Sequence, residues 1–299
     1  IRSRGLGDVY KRQIQWHLDK QWKDIKNFAK LCNVKLIGDL PFYVSWDSAD
    51  VWSNKSLFSI FKNGTLIFQS GVPPDYFSST GQLWGTPTYF WSKHKNTNFY
   101  WWRNRFKRQF ELMDLLRLDH FRGLAGYWRV NGNSKTAISG KWISSPGRSL
   151  LSKLKFDLGT EYLPIIAEDL GVITPDVEKL RKNFKLPGMK ILQFAFDGNK
   201  DNPYLPRNIN GENWVVYTGT HDNSTSMSWW DSLESNSKKR ISDEYKFSED
   251  PSWSLIEIGM KTDANLFIAP IQDILSLDDS SRLNIPGTTK NNWKWKLNR

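Results

Sequence analysis

The stretch Leu115–Gly126, LLRLDHFRGLAG, decides the fold. Residues Leu115 to Asp119 read as a short buried strand, apolar except for Arg117, that an acid closes. His120, Phe121, Arg122 and a glycine turn follow. A parallel barrel presents chemistry in this way, at the C-terminal ends of its strands. Arg117 lies two residues before Asp119 and so shares its face of the strand. A cation there would keep Asp119 ionised. A plain strand-end ion pair with no chemistry fits the same residues.

Outward from this stretch the pattern repeats. Helical spacing of Trp22, Ile25, Phe28, Ala29 and Cys32 predicts a helix from Gln21, and residues 34–40 (VKLIGDL) then read as a strand with Asp39 near its end. Residues 42–96 form a long insertion rich in Gly, Pro, Ser and aromatics. A structureless stretch of this length is usually functional. Trp102, Phe106, Phe110 and Met113 carry a helix into the deciding strand, and another helix is expected near residues 149–158. Further strands are predicted at 164–167 (PIIA, then Glu168 and Asp169), 190–196 (KILQFAF), 214–219 (WVVYTG, then Thr220, His221, Asp222 and Asn223) and 266–270 (LFIAP). Thr174-Pro175-Asp176 marks a helix start. Unalternating apolar strands separated by helices are the pattern of a parallel α/β sheet. The pattern yields six strands, and a closed barrel of this type has eight.

The 299 residues allow one barrel-sized domain or two smaller ones. No run of about 18 apolar residues is present to span a membrane. The single cysteine, Cys32, excludes an internal disulfide, and four histidines with no ligand spacing argue against a zinc site. The net charge of +11 raises nucleic-acid binding. Its basic clusters (103–108, 179–185, 238–240) fall on helical spacing and read as solvated helix faces. Sixteen tryptophans say more. Many lie in loop-like sequence, where exposed rings stack on sugars or anchor partners. Those of residues 91–102 read as core. Residues 1–13 lack periodicity and are set aside as a non-native leader, an artefact of sequence assembly.

Asp39, Asp119, Glu168 and Asp222 all close predicted strands, so in a parallel barrel they would share one rim. Two carboxylates flanking a glycosidic bond suffice for its chemistry. Glu168 and Asp169 adjoin, and the period of two lets only one face the cleft. No phosphate loop, Ser-His-Asp order or zinc motif competes. Asp39 also fits a simple turn before Pro41, and His120 a packing role.

The motifs RLDHFRG (117–123), IIAEDLGVITPDV (165–177), PGMKILQFAF (187–196), YTGTHDN (217–223), GVPPDYFSSTGQLWGTP (71–87), IGDLPFYVSWDSADVW (37–52) and LNIPGTTKNNWKWKL (283–297) together closely resemble the 4-α-glucanotransferases of glycoside hydrolase family 77, the amylomaltases or disproportionating enzymes. The resemblance runs from about Gln15 to Leu297. It implies an amylase-like TIM (β/α)8 barrel, here incomplete. Residues 14–299 would supply strands three to eight and the insertion, leaving unpaired edges at the third and eighth strands. It implies Asp119 as nucleophile, Glu168 rather than Asp169 as general acid/base, and Asp222 as the third carboxylate. Arg117 and His221 would support them, with Asp39, His120 and Asn223 near the substrate. Residues 75–84 would form a loop over the donor sugar, with Asp75, Tyr76, Phe77, Gln82 and Trp84 facing it. The substrates implied are α-1,4-glucans, with maltooligosaccharides and starch- or glycogen-derived dextrins among them. No cofactor, metal, nucleic acid or membrane is implied, and the expected location is the cytoplasm, or a plastid in a plant or alga. An α-glucan hydrolase, a non-catalytic glucan-binding module and an inactive truncated fragment are the competing readings.

Overall fold

The computed structural model describes residues 6–74, 78–211, 213–288 and 290–297. The chain divides into two compact units, Ile1–Leu186 and Pro187–Arg299. Both contain a parallel sheet with intervening helices, so the α/β class expected from strand and helix alternation holds.

In the first unit, helix α1 (Leu6–Leu31) leads to strand β1 (Ile37–Leu40). The helix starts well before Gln21, so residues 6–13, where no periodicity was legible, are its first turns. Most of its apolar side chains stay exposed, which erased the pattern that burial would have written. Near its C-terminal end it meets helix α4 (Tyr100–Leu112). The Trp22 indole donates to the Leu112 carbonyl (2.9 Å), and the Lys26 ammonium reaches the carbonyls of Phe110, Glu111 and Met113 at 3.2–3.3 Å. A cation there offsets the partial negative charge of a helix C-terminus.

After β1 come α2 (Ala49–Ser53), β2 (Phe68–Val72), β3 (Gln82–Pro87), α3 (Trp91–Asn96) and α4 (Tyr100–Leu112). The insertion 42–96 is therefore not structureless. Strands β2 and β3 pair with each other, and β2 pairs with β5 (Gly126–Asn131), which pairs with β6 (Gly140–Ser144), all antiparallel. Local sequence could not show this, because β5 lies some 55 residues further on and supplies the hydrogen bonds. The glycine content serves close approach as well as turning. A Cβ on Gly71 would sit 2.1 Å from the Gln82 carbonyl oxygen across the hairpin.

The deciding stretch forms β4 (Leu115–Leu118), followed further on by α5 (Gly147–Leu158), β7 (Ile165–Ala167) and α6 (Pro175–Asn183). The parallel sheet has the order β1-β4-β7, with Asp39 opposite Arg117 and Arg117 opposite Ile166. Its core is aromatic. Phe42, Phe58, Trp102, Phe106 and Phe121 are fully buried, and Trp91 and Trp101 nearly so, as expected for tryptophans 91–102. Truncating one such ring to alanine costs about 3–5 kcal/mol.

The second unit carries β8 (Gly188–Ile191), β9 (Trp214–Tyr217), α7 (Ser226–Ser232), α8 (Ser235–Tyr245), α9 (Pro251–Met260), β10 (Leu266–Ile268) and α10 (Ile271–Ile274). Its parallel sheet runs β10-β9-β8. The strand expected over 190–196 ends at Ile191, and Leu192–Phe194 is a tight helical turn. The turn stands because Gln193 is held from the side. Its N–H donates to the Thr218 carbonyl (3.2 Å) and its amide to that of Ser224 (3.0 Å). Asp250 and Thr225 cap α9 and α7 through backbone N–H groups, as short polar residues do at helix starts. Among the described residues no helix is long and apolar enough to cross a membrane.

Candidate active site

Three neighbouring parallel strands of the first unit deliver the acids. Asp39 lies within β1, one residue before its end, while Asp119 directly follows β4 and Glu168 directly follows β7. The three positions are tied by the backbone, since the Asp119 N–H donates to the Leu40 carbonyl (3.0 Å) and that of Glu168 to Leu118 (3.2 Å).

Arg117 is the hub. Its Nη1 donates to both Asp39 oxygens (2.8 and 2.9 Å), and its Nη2 lies 2.9 Å from Asp119 Oδ1. The guanidinium side chain is only 12 % exposed, against 48 % and 44 % for the two carboxylates. Burial works against its charge, yet Asp119, Asp39 and Glu168 outweigh it and hold the cation firmly protonated. Asp39 is thus an anchor for Arg117 rather than a bare turn residue.

Glu168 differs from its neighbours. Its carboxylate accepts the His120 N–H (2.8 Å) on one oxygen and the Leu170 N–H (3.0 Å) on the other. Burial raises its pKa, with the Asp119 charge adding to the rise. Arg117 and the two N–H donors pull the other way, and the net value is about 7 against the usual 4.5. A carboxyl poised near neutrality is what general acid/base work requires. Asp169 turns the other way. It pairs with Arg181 at 3.0 Å, both side chains under a tenth exposed. The two adjacent acids, both just past β7, therefore have separate partners.

The loop after β4 is held in an uncommon shape. His120 has φ +51°, a left-handed conformation that costs a non-glycine residue about 1 kcal/mol or more. Gly123 explains the motif's glycine, because a Cβ there would meet the Phe42 ring at 2.6 Å. The His120 imidazole packs edge-on against Trp84 (4.9 Å between centroids) and near Tyr43 (5.8 Å). Burial, then the Arg122 charge, lowers its pKa to about 3, so the ring stays neutral. These ring contacts fit the packing role weighed for His120, while its backbone N–H holds Glu168. Trp84 is 38 % exposed, and its indole donates to Gln82 Oε1 at 3.3 Å. Asp75, Tyr76 and Phe77 lie outside the described residues.

Sequence reasoning passed over two residues here. Arg122 donates to the Val172 carbonyl (2.6 Å), joining the loops after β4 and β7, and stacks 4.1 Å over the Trp142 ring. Tyr43 stacks on Tyr89 (6.0 Å between centroids) and comes up beside His120. Arg122 within RLDHFRG was the legible signal, whereas Tyr43 looked like one more aromatic of the insertion.

In the second unit Asp222 does not close β9, which ends at Tyr217. It lies in the loop 218–225. Asn284 donates to Asp222 Oδ1 (2.5 Å), Arg282 to the Asp222 carbonyl (2.7 Å), and His221 Nε2 lies 3.5 Å from Asp222 Oδ2. Asn223 Oδ1 accepts from the Thr220 N–H and hydroxyl, both at 2.9 Å, and so shapes the loop. His221 packs against Trp293 (5.2 Å). The motif 283–297, legible only as a resemblance, lends Asn284 and Trp293 to this loop. Among the described residues no group of three or more His, Cys, Asp or Glu is placed to hold a metal ion.

The family model described as 4-alpha-glucanotransferase matches residues 8–299. The 4-alpha-glucanotransferase of Synechocystis sp. is 44 % identical over 97 % of this chain and 59 % of its own length. A chloroplastic/amyloplastic 4-alpha-glucanotransferase of Arabidopsis thaliana is 45 % identical over 95 % of this chain and 49 % of its own. The solved amylomaltase of Streptococcus agalactiae, in complex with acarbose, superposes with a TM-score of 0.89 at 36 % identity, covering 94 % of this chain and 57 % of that one. The chain spans about half to three-fifths of the length of these relatives. On this match the chain belongs to the 4-alpha-glucanotransferase family, glycoside hydrolase family 77.

Proposed function

We propose that the chain carries out 4-α-glucan transfer by a retaining double displacement. The observation that carries this is Glu168, poised near pH 7 beside an Asp119 that is paired with a buried arginine. Asp119 Oδ attacks the anomeric carbon of an α-1,4-linked donor, while Glu168 gives its proton to the departing 4-oxygen. The leaving glucan departs, and the sugar stays as an ester on Asp119. An acceptor 4-hydroxyl then gives its proton to Glu168 and attacks the same carbon, which frees Asp119. The retaining geometry calls for carboxyl groups about 5–5.5 Å apart. Asp222 is the third carboxylate, with His221 and Asn223 beside it on the loop. Trp84 and Gln82 face the donor sugar on this reading, so that an acceptor hydroxyl outcompetes water.

The substrates on this reading are maltooligosaccharides and dextrins. The acarbose complex of the streptococcal amylomaltase supports that class. The reaction needs no cofactor, metal, nucleic acid or membrane. It would run where α-glucan is stored, in a bacterial cytoplasm or, as the chloroplastic relative suggests, a plastid. Each parallel sheet is read as an arc of an amylase-like (β/α)8 barrel.

Incubation with maltotriose tests the reading. Glucose together with maltopentaose and longer chains is the expected outcome. Maltose and glucose alone would mean hydrolysis, and no turnover with retained maltotriose binding would mean a binding module.

A further inference from the structure

We propose that Asp273 is a positioning residue for Asp222, clamping both ends of the loop that carries it; this rests on the role just given to Asp222. Asp273 lies in α10 and is 1 % exposed. One of its oxygens accepts the Ser226 N–H (2.7 Å), and the other accepts the hydroxyls of Thr218 (2.6 Å) and Ser226 (2.7 Å). Thr218 is the first residue after β9, and Ser226 the first of α7. A single buried carboxylate therefore fixes the two points where the loop leaves regular structure. Everything between them, His221, Asp222 and Asn223 included, is suspended from that anchor.

The residues after Asp273 secure the loop's middle. Asp279 Oδ1 accepts the Thr225 N–H (2.8 Å). Arg282 donates to the Asp222 carbonyl and the Ser224 hydroxyl (2.7 and 3.0 Å), and Asn284 to Asp222 Oδ1. A carboxylate removed from water is costly unless it is hydrogen-bonded, and this one meets three donors. Because bonds to a charged acceptor are the stronger kind, the anchor is stiff. Displacement of a reacting group by about 1 Å can cost a hundredfold in rate, so a stiff anchor matters more to turnover than to sugar affinity. In chain order Asp273 comes 51 residues after Asp222, a separation that hides the pairing from any reading of local pattern.

The test measures maltotriose disproportionation and amide hydrogen exchange across residues 219–225 in the full chain, for Asp273→Ala, Asp273→Asn, Thr218→Val and Asp222→Asn. Asp273→Ala is expected to lower kcat by about tenfold to a hundredfold, with KM moving by less than about threefold, and to speed exchange in the loop while the rest of the chain stays protected. Thr218→Val removes one donor at nearly constant volume, so it is expected to move both readouts the same way by less. It decides the matter should Asp273→Ala fail to fold. Asp273→Asn still accepts the Ser226 N–H and is expected to restore part of both. Wild-type kcat and loop exchange in Asp273→Ala, or in Thr218→Val alone, would overturn the clamp while leaving the function intact if Asp222→Asn is inactive. Full turnover in Asp222→Asn would instead overturn the role of Asp222, with loop exchange still reporting on the anchor.

Discussion

The two acid-bearing regions are built by opposite means. In the first unit the acids are set directly by strands: one hydrogen-bonded step of backbone separates β4 from Asp119 and β7 from Glu168. In the second, Asp222 hangs in a loop and is placed by side chains drawn from residues 273–284. A strand end fixes a side chain through a cooperative ladder. A loop has no ladder and must borrow hydrogen bonds from elsewhere. The difference extends to electrostatics. Glu168 sits where burial raises its pKa. Asp222 is exposed and meets the Asn284 amide, while Arg282 holds its backbone carbonyl.

The largest effect should come from removing the proposed nucleophile. Asp119→Asn is expected to cut glucose release from maltotriose by about 10⁴-fold or more, and wild-type turnover would break the comparison at its root. Glu168→Gln is expected to lose about 10²- to 10⁴-fold, yet to gain stability. The folded pKa of Glu168 lies above the usual value, so folding takes up a proton between about pH 4.5 and 7. The cost of the charged form is therefore absent below that window and fully present above it. The rise corresponds to about 3 kcal/mol. Thermal melts at pH 8 should show Glu168→Gln more stable than wild type, with the gain vanishing near pH 4.

The pH profile sharpens the same contrast. Activity is expected to fall as pH rises through about 7, where Glu168 loses its proton. Burial is the larger cause of its raised pKa and the Asp119 charge the next. The Glu168 carboxyl signal, followed by carbon NMR in Asp119→Asn, should therefore titrate lower than in wild type but still above 4.5. A titration unmoved by the substitution would mean that burial alone sets the value. The smallest effect is expected on the loop side. Asn284→Ala leaves Asp222 with one hydrogen bond fewer and should cost about tenfold in kcat, the equivalent of one bond to a charged group.

Much of the first region was legible in the sequence. A buried strand writes a mostly apolar run, and a charge closing it is visible without coordinates, so the strands ending at Leu118 and Ala167 and the acids Asp119 and Glu168 stood out. Period-two reasoning allowed only one of Glu168 and Asp169 to face the cleft, and the family motif picked Glu168; the structure pairs Asp169 with Arg181 instead. The insertion was misjudged because β2 completes its hydrogen bonds with β5, and no local pattern records a partner that distant. The early turns of α1 were missed for a different reason, since a helix that leaves its apolar side chains exposed has no buried stripe to announce it.

The sequence by itself determined which residue types close the strands, the alternation that makes the sheets parallel, and, through long motifs, the family. Tertiary structure alone decided how Arg117 divides itself between Asp39 and Asp119, how burial carries Glu168 to neutrality, and that Asp273 holds the loop of Asp222. Periodicity is written by neighbours along the chain. Burial, charge coupling and hydrogen bonds across tens of residues exist only once the chain has folded and removed those groups from water.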